Sequence, residues 1–204
     1  LAGQGSSLVN AGTVTGGAGA AGGRGGYGVV TWGGATITNA ATISGGLNPD
    51  GSRGTAIEFN GTGNALNLLT GSNIVGNIGL AASAQATIAA LNTGLTLGNS
   101  IDLGAGAAVT FDTSTTSLLY NGTIAGSGDM HVTGPQTLTL NGAATQSGAM
   151  TITDATVLVN NGGYADNGTV ADNGNLVVDA GSNINANNGG NAFLVGTHGT
   201  GALT

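Results

Sequence analysis

The chain has 204 residues, of which 42 are glycine, 40% are hydrophobic and only 5% are charged, and its formal net charge is −7. Its only cations besides histidine are Arg24 and Arg53, so nucleic acid and anionic membrane surfaces, which draw on clustered cations, are poor partners. The absence of cysteine excludes disulfides and thiolate metal sites, and no apolar run of about 18 residues predicts a membrane-spanning helix.

Near the start of the chain, a unit of eight residues is repeated. Residues 10–17 (NAGTVTGG) return as residues 39–46 (NAATISGG), and a weaker copy occupies 121–126. Each copy places β-branched residues beside Asn and Gly, which is typical of a short strand that ends in a turn. A chain built from such short units has to stack them in order to bury their apolar faces.

Two segments interrupt this rhythm. Residues 16–28 form a stretch rich in Gly and Ala around Arg24 and Tyr27, and residues 47–54 contain the turn signal Pro-Asp-Gly. We expect both segments to be loops that leave the stack, and each carries one of the two arginines.

Further along, apolar residues alternate with polar ones in one short strand after another. These predicted strands lie at 66–68, 95–97, 101–103, 109–111, 130–132, 138–140, 150–152 and 157–159. Between them, Asn-Gly pairs at 60, 121, 141, 161, 167, 173 and 188 are predicted to be turns. Because the repeats differ in length, the pattern predicts an all-β parallel β-helix with about 20 to 25 residues in each coil.

One segment resembles a known family. Residues 126–134 (GSGDMHVTG), 137–143 (TLTLNGA), 147–152 (SGAMTI) and 157–159 (VLV) resemble the passenger-associated transport repeat of bacterial autotransporters. The segment 126–159 departs from the family pattern at Pro135 and lacks its usual basic and aromatic residues. The resemblance implies a right-handed parallel β-helix, a single domain over 1–204 that is a fragment of a longer passenger, with an outer-membrane barrel C-terminal to it.

Catalytic chemistry finds little support in the sequence. A serine protease needs a nucleophile, a base and an acid, but Ser127 lies in a strand repeat and only His131 and His198 are available as bases. We expect His131 to face outward on its strand. Glycan hydrolysis needs two carboxylates in one groove, and pairs such as Asp102 with Asp112 or Asp166 with Asp172 are candidates, although a solvated acidic rim is the simpler interpretation. We predict no catalytic residue, no metal site and no cofactor.

Exposed aromatic residues near an arginine are the remaining candidates for a binding site. Tyr27 and Trp32 lie in or beside the first predicted loop together with Arg24, and Tyr, Trp and Arg dominate binding hot spots. The alternative is that Trp32, the only tryptophan, caps the stack.

The family resemblance implies a function at the bacterial cell surface. Members of the family are adhesins, self-associating factors, invasins or, in some branches, proteases. We therefore expect a non-enzymatic, secreted passenger of type V secretion that acts in virulence, through adhesion to a host cell surface or matrix or through self-association in biofilm. Two alternatives stay open: a β-helical enzyme that degrades polysaccharides, and a structural stalk for a functional head elsewhere.

Overall fold

A computed structural model describes residues 1, 5–160, 164–179, 182–186, 193–195 and 202–203. These residues form strands, turns and loops and no helix. In the first five coils each coil has three separate strands: β1 (Ser7–Asn10), β2 (Thr13–Thr15), β3 (Val29–Thr31), β4 (Thr36–Asn39), β5 (Thr42–Ser44), β6 (Ile57–Phe59), β7 (Asn64–Leu68), β8 (Asn73–Val75), β9 (Ile78–Leu80), β10 (Gln85–Ala90), β11 (Thr96–Leu97), β12 (Ile101–Leu103), β13 (Ala108–Asp112), β14 (Leu118–Tyr120) and β15 (Ile124–Gly126).

Beyond these coils some of the strands are longer, because one strand runs through the corner between two faces. The strands of these later coils, of which β18 and β20 are the long ones, are β16 (Asp129–Thr133), β17 (Thr137–Leu140), β18 (Ala149–Val159), β19 (Tyr164–Asn167), β20 (Thr169–Val178), β21 (Asn183–Ala186), β22 (Phe193–Val195) and β23 (Ala202–Leu203). β18 pairs with both β16 and β17, so it occupies two faces of its coil.

All ladders between these strands are parallel, and they join strands of successive coils. The largest sheet contains the order β1-β4-β7-β10-β13-β16-β18, a second sheet has the order β15-β12-β9-β6-β3, and a third joins β2, β5 and β8. Parallel pairing of successive turns of the chain is the defining feature of a β-solenoid. The predicted all-β parallel β-helix is therefore confirmed.

The core consists of inward side chains that stack in rows from coil to coil. On the large sheet one row joins Ile37, Leu66, Ile88, Phe111, Val132 and Ile152. A row on the second sheet joins Val29, Ile57, Ile78, Ile101 and Ile124. All of these side chains are buried, and each buried Ile, Leu or Phe contributes about 1.5–3 kcal/mol.

Polar side chains also form a row inside the first coils. The buried residues Asn10 and Asn39 are register partners, and Asn10 Nδ2 donates to Asn39 Oδ1 at 2.7 Å. Asn39 Nδ2 in turn donates to the carbonyl of Ala41 and to Ser72 Oγ, both at 2.8 Å. These bonds satisfy amides that would otherwise be costly to bury.

The coils differ in length at the start of the stack. Ser7 pairs with Thr36, and Thr36 pairs with Ala65, so each of these two steps takes 29 residues. The next step, from Asn64 to Ala86, takes only 22. The extra residues lie in two segments without long strands, 16–28 between β2 and β3 and 47–54 between β5 and β6. The extra length of these two coils therefore lies in loops, outside the paired strands.

The turn predicted at Asn173 and Gly174 is wrong. Both residues lie inside β20, opposite a β-bulge at which the register shifts between Thr153 and Thr156 of β18. Asp154, within that bulge, has a φ of 53°. The chain changes direction here through a bulge, which bends a strand without interrupting its pairing.

Candidate functional site

The two loops that leave the stack, 16–28 and 47–54, form the walls of an open groove of about 800 Å³. We call it the arginine groove and define it by Arg24, Tyr27, Asn48, Asp50 and Arg53. Arg24 and Tyr27 come from the first loop and the other three from the second. Residues that are 29 apart in the sequence, such as Arg24 and Arg53, meet here because the loops belong to consecutive coils.

Backbone hydrogen bonds hold the bases of the two loops together. The Gly46 N–H donates to the carbonyl of Gly26 at 2.7 Å, and the Gly54 N–H donates to the carbonyl of Gly46 at 2.9 Å. At Gly46 a Cβ would overlap the carbonyl oxygen of Gly17, and at Gly25 it would overlap the backbone of Gly46. Glycine is therefore required at these positions because the two backbones approach so closely.

Asn48 connects the first loop to the second and also shapes the second. Its Oδ1 accepts a hydrogen bond from the Gly25 N–H at 2.7 Å, and its Nδ2 donates to Ser52 Oγ at 2.9 Å. The Gly51 N–H donates to the carbonyl of Asn48 at 3.0 Å, which closes the turn. The Asn48 side chain thus adds a direct link between the two walls of the groove.

The carboxylate of Asp50 is engaged within its own loop. Asp50 Oδ1 accepts hydrogen bonds from Ser52 Oγ at 2.6 Å and from the Ser52 N–H at 2.9 Å. These bonds, the one from the Ser52 side chain first, lower the pKa of Asp50 below its usual value, because they favour the ionised form. Asp50 is therefore an anion with one oxygen already occupied.

Both arginines of the chain line this groove. Arg53 Nη1 donates to the carbonyl of Gly45 at 3.2 Å. Among the described residues neither arginine forms an ion pair, and the Arg24 guanidinium has no hydrogen-bond partner. The groove therefore carries two cations against the single carboxylate of Asp50, in a chain whose net charge is −7.

Of the two predicted aromatic residues, only Tyr27 lies in the arginine groove. Its side chain is 53% exposed. Trp32 is 66% exposed but lies beyond β3, in the turn that leads to β4. Its backbone N–H donates to the carbonyl of Leu1 at 3.1 Å. A strand of three residues, about 10 Å long, separates Trp32 from Tyr27. The structure thus groups Arg24 with Tyr27 and Arg53, and it places Trp32 elsewhere.

A second, smaller groove of about 330 Å³ contains a pair of carboxylates. We call it the acidic groove and define it by Thr55, Glu58, Gly79, Asp102 and Ala125. Glu58, Gly79, Asp102 and Ala125 are consecutive register partners on β6, β9, β12 and β15. A Cβ at Gly79 would overlap the carboxylate of Glu58, so the glutamate lies across the glycine toward Asp102.

Of the two carboxylates in the acidic groove, Glu58 has a perturbed pKa. Burial, and then the nearby charge of Asp102, raise the pKa of Glu58 above its usual value. Asp102 accepts a hydrogen bond from Asn77 Nδ2 at 3.1 Å through its Oδ2. Asn77 also lines the arginine groove, and Thr55 lines both, so the two grooves adjoin on one face of the solenoid.

Of the two carboxylate pairs that the sequence suggests, Asp102 and Asp112 are not brought together. Asp102 lies on β12 and Asp112 on β13, which belong to different sheets, and Asp112 Oδ1 accepts from the Ser114 N–H at 2.8 Å. Asp172 is fully buried and its Oδ1 accepts from the Gly174 N–H at 2.9 Å, while the Asp166 side chain lies outside the described residues. The pair that the structure does form, Glu58 with Asp102, has no sequence motif and follows only from the register.

The remaining candidates are located as follows. His131 is half-buried on the outer face of β16, in register with Thr110 and Thr151, and His198 lies outside the described residues. Within the described part of the chain, no three His, Asp or Glu side chains are close enough to hold a metal ion. That part also has no helix with the length and apolar character needed to cross a membrane.

Comparison with known proteins gives no match for this chain among protein-family models, curated proteins or solved structures. The site therefore has to be interpreted from its own geometry.

Proposed function

We propose that the chain is a non-enzymatic binding module of a bacterial cell surface, of the autotransporter passenger type, which mediates adhesion to a host surface or between bacteria. One observation carries this proposal: the arginine groove gathers both arginines and an exposed tyrosine on loops that stand off a solenoid. Tyr and Arg are the residues that most often dominate binding energy.

The scaffold is suited to presenting such a site. Parallel ladders hold each coil to the next, so loops that leave the stack start from fixed positions. Backbone contacts between Gly25 and Gly46 fix the distance between the two loops. A ligand that binds there meets a groove that is formed in advance, which reduces the entropy cost of binding.

The segment 126–159 supports the passenger type. It forms β16, β17 and β18, and these strands continue the same parallel ladders as the coils before them. A transport repeat that is part of the stack fits a passenger that folds coil by coil. On this proposal the chain is extracellular and acts without a cofactor.

The proposal is tested by displaying the chain on a non-adherent bacterium. We expect the native chain to increase attachment to epithelial cells or sedimentation of the culture, and we expect the double variant Arg24→Gln and Tyr27→Ala to abolish the increase. Substitution is preferable to deletion of the loops, since their glycines support the neighbouring coils. Antibody staining verifies equal display, and Thr93→Glu, in an exposed turn, is the control for the change of charge.

Two results would contradict adhesion through this groove. If the double variant attaches as well as the native chain at equal display, the groove is not the contact site. If the native chain itself promotes neither attachment nor sedimentation, adhesion is rejected and the stalk and the enzyme are the remaining candidates.

A second candidate function is glycan hydrolysis in the acidic groove. It is favoured by Glu58, whose raised pKa suits a general acid, beside the second carboxyl group of Asp102. A panel of neutral and acidic polysaccharides tests it by release of reducing ends. Turnover that is lost in both Glu58→Gln and Asp102→Asn would establish an enzyme, and absence of turnover across the panel would leave binding as the function.

A further inference from the structure

We infer that the arginine groove binds a carboxylated sugar at the end of a glycan chain. This inference rests on the proposed function and specifies its ligand. The carboxylate would be held between the guanidinium groups of Arg24 and Arg53, and the apolar face of the sugar ring would lie against Tyr27.

Charge indicates an acidic ligand. The groove holds both arginines, while the only carboxylate on its wall, Asp50, already accepts two hydrogen bonds from Ser52. Guanidinium groups bind carboxylates through paired hydrogen bonds, and the Arg24 guanidinium has no partner among the described residues.

The ligand should carry one acidic group rather than a run of them. The rest of the chain is acidic, and Glu58 and Asp102 lie in the adjoining groove. At physiological ionic strength charges interact over about 8 Å, so the two arginines act most strongly on an anion that lies within the groove itself. A long polyanion would extend over the acidic surface and be repelled. A terminal acidic residue avoids this repulsion.

The lining favours a sugar over an acidic peptide. Apart from Tyr27 and Pro49 the groove is lined by glycine and polar or charged residues, so it offers no apolar pocket for a peptide side chain. Peptides are otherwise often bound by adding a strand to a sheet edge. Here β6, which follows the second loop, is paired on both sides by β3 and β9. The outer edge of β3, which follows the first loop, bonds to Leu1 through the Val30 carbonyl and the Trp32 backbone N–H. An exposed phenol ring among polar groups suits the mixed polar and apolar surface of a sugar.

The test compares two probes, a trisaccharide and the disaccharide that lacks its one acidic sugar. Titration calorimetry of the purified chain with 3′-sialyllactose should give saturable binding, and lactose should bind at least about ten-fold more weakly. Arg24→Gln and Arg53→Gln should each weaken sialyllactose binding by about ten-fold. Arg53→Lys, which keeps the charge without the planar fork, should be intermediate.

Thr93→Glu serves as the matched control. It gives the same net charge as Arg24→Gln, but it lies in the turn between β10 and β11, outside the groove. We expect it to leave the affinity unchanged. Circular dichroism shows whether each variant keeps the β-sheet spectrum.

Four outcomes of the binding measurements would overturn the inference. These are equal affinity for sialyllactose and lactose, equal weakening by Thr93→Glu and Arg24→Gln, no binding of sialyllactose, and binding of the acidic peptide acetyl-Glu-Gly as tight as that of the sugar. The proposed adhesion fails separately, if sialyllactose binds the purified chain while display on cells promotes no attachment. Attachment that depends on Arg24 but does not compete with sialyllactose would sustain adhesion and reject the sugar.

Discussion

The side-chain amide of Asn10 donates a hydrogen bond of 2.7 Å to Oδ1 of Asn39, the residue that faces it one coil further along the stack. Asn39 passes the interaction on through its own Nδ2 to Ser72 Oγ. One buried amide therefore connects three consecutive coils. Its removal takes one hydrogen-bond partner from Asn10 in the preceding coil and one from Ser72 in the following coil.

We expect Asn39→Ala to reduce the free energy of unfolding by about 1–3 kcal/mol, because the carbonyl of Ala41 and Ser72 Oγ each lose a donor. Asn67→Ala is the matched control. Asn67 lies half-buried on the outer face of β7 and has no side-chain hydrogen bond among the described residues. Urea denaturation followed by circular dichroism measures both. Equal loss in the two variants would show that the buried amide row does not stabilise the stack.

The close approach of coils at Gly122 leads to a second prediction. A Cβ there would overlap the carbonyl oxygen of Asn99 in the preceding coil, so Gly122→Ala should destabilise the fold by about 1–3 kcal/mol. At Gly98 a Cβ meets nothing within 4 Å. Gly98→Ala should therefore be neutral or stabilise by up to about 1 kcal/mol, through the unfolded chain. Thermal unfolding compares the two, and a larger loss for Gly98→Ala would contradict the predicted contact.

A third prediction concerns the electrostatic coupling between Glu58 and Asp102. Burial is the first cause of the raised pKa of Glu58 and the charge of Asp102 is the second, so Asp102→Asn should lower that pKa without returning it to the usual value. NMR titration of the side-chain carboxyl carbons measures the change. Asp112→Asn, which removes the same charge from a different sheet, should leave the pKa of Glu58 unchanged. If Asp102→Asn also has no effect, the two carboxylates do not interact.

The same pKa shift implies a pH dependence of stability. Because the pKa of Glu58 is higher in the folded than in the unfolded chain, the folded chain binds the proton more tightly. Protonated Glu58 therefore contributes to stability. This contribution is lost as the pH rises from 4.5, the usual pKa of a glutamate, through the raised pKa. We expect Glu58→Gln to be more stable than the native chain at pH 7 and to lose that advantage below pH of about 4. Denaturation at both pH values measures this, and a variant that is less stable at pH 7 would contradict it.

The fifth prediction concerns the arginine groove. Asn48→Ala removes the bond from the Gly25 N–H to Asn48 Oδ1, so hydrogen exchange should become faster at Gly25. Asn48→Asp retains an acceptor there and should keep the slow exchange. Amide exchange measured by mass spectrometry or NMR distinguishes the two variants. Unchanged exchange at Gly25 in Asn48→Ala would show that other contacts fix the spacing of the loops.

The strands could be predicted because their inward positions are apolar at every coil. At β13, for example, the alternation of Val109, Thr110 and Phe111 places two side chains in the core and one outside, and the structure shows the same arrangement. Each such strand is defined by its own residues, so its prediction needs no knowledge of the neighbouring coils.

The acidic groove could not be predicted, because it depends on register. Glu58 and Asp102 align through Gly79, with one step of 21 residues from 58 to 79 and another of 23 from 79 to 102. Steps of unequal length leave no fixed spacing to search for in a sequence. The same uncertainty explains why Asp102 was considered with Asp112, which lies on a different face of the solenoid.

The arginine groove was predicted in part. Its two loops are apparent from glycine content and from the Pro-Asp-Gly turn, but their convergence follows from the pairing of β2 with β5 and of β3 with β6, which the loop sequences themselves do not show. Trp32 was grouped with Arg24 and Tyr27 because it is near them in sequence. The short strand β3 separates them, since even three extended residues carry the chain to another corner of the coil.

The two steps of 29 residues at the start of the stack reach the same core rows as the later, shorter steps. The additional residues therefore do not change how Ile37, Leu66 and Ile88 pack in the core row. Insertions of other length or sequence should be accepted between β2 and β3 and between β5 and β6, provided that Gly25 and Gly46 remain at their base. These two coils thus offer a place where recognition loops can be exchanged, by evolution or by an engineer, on an unaltered support.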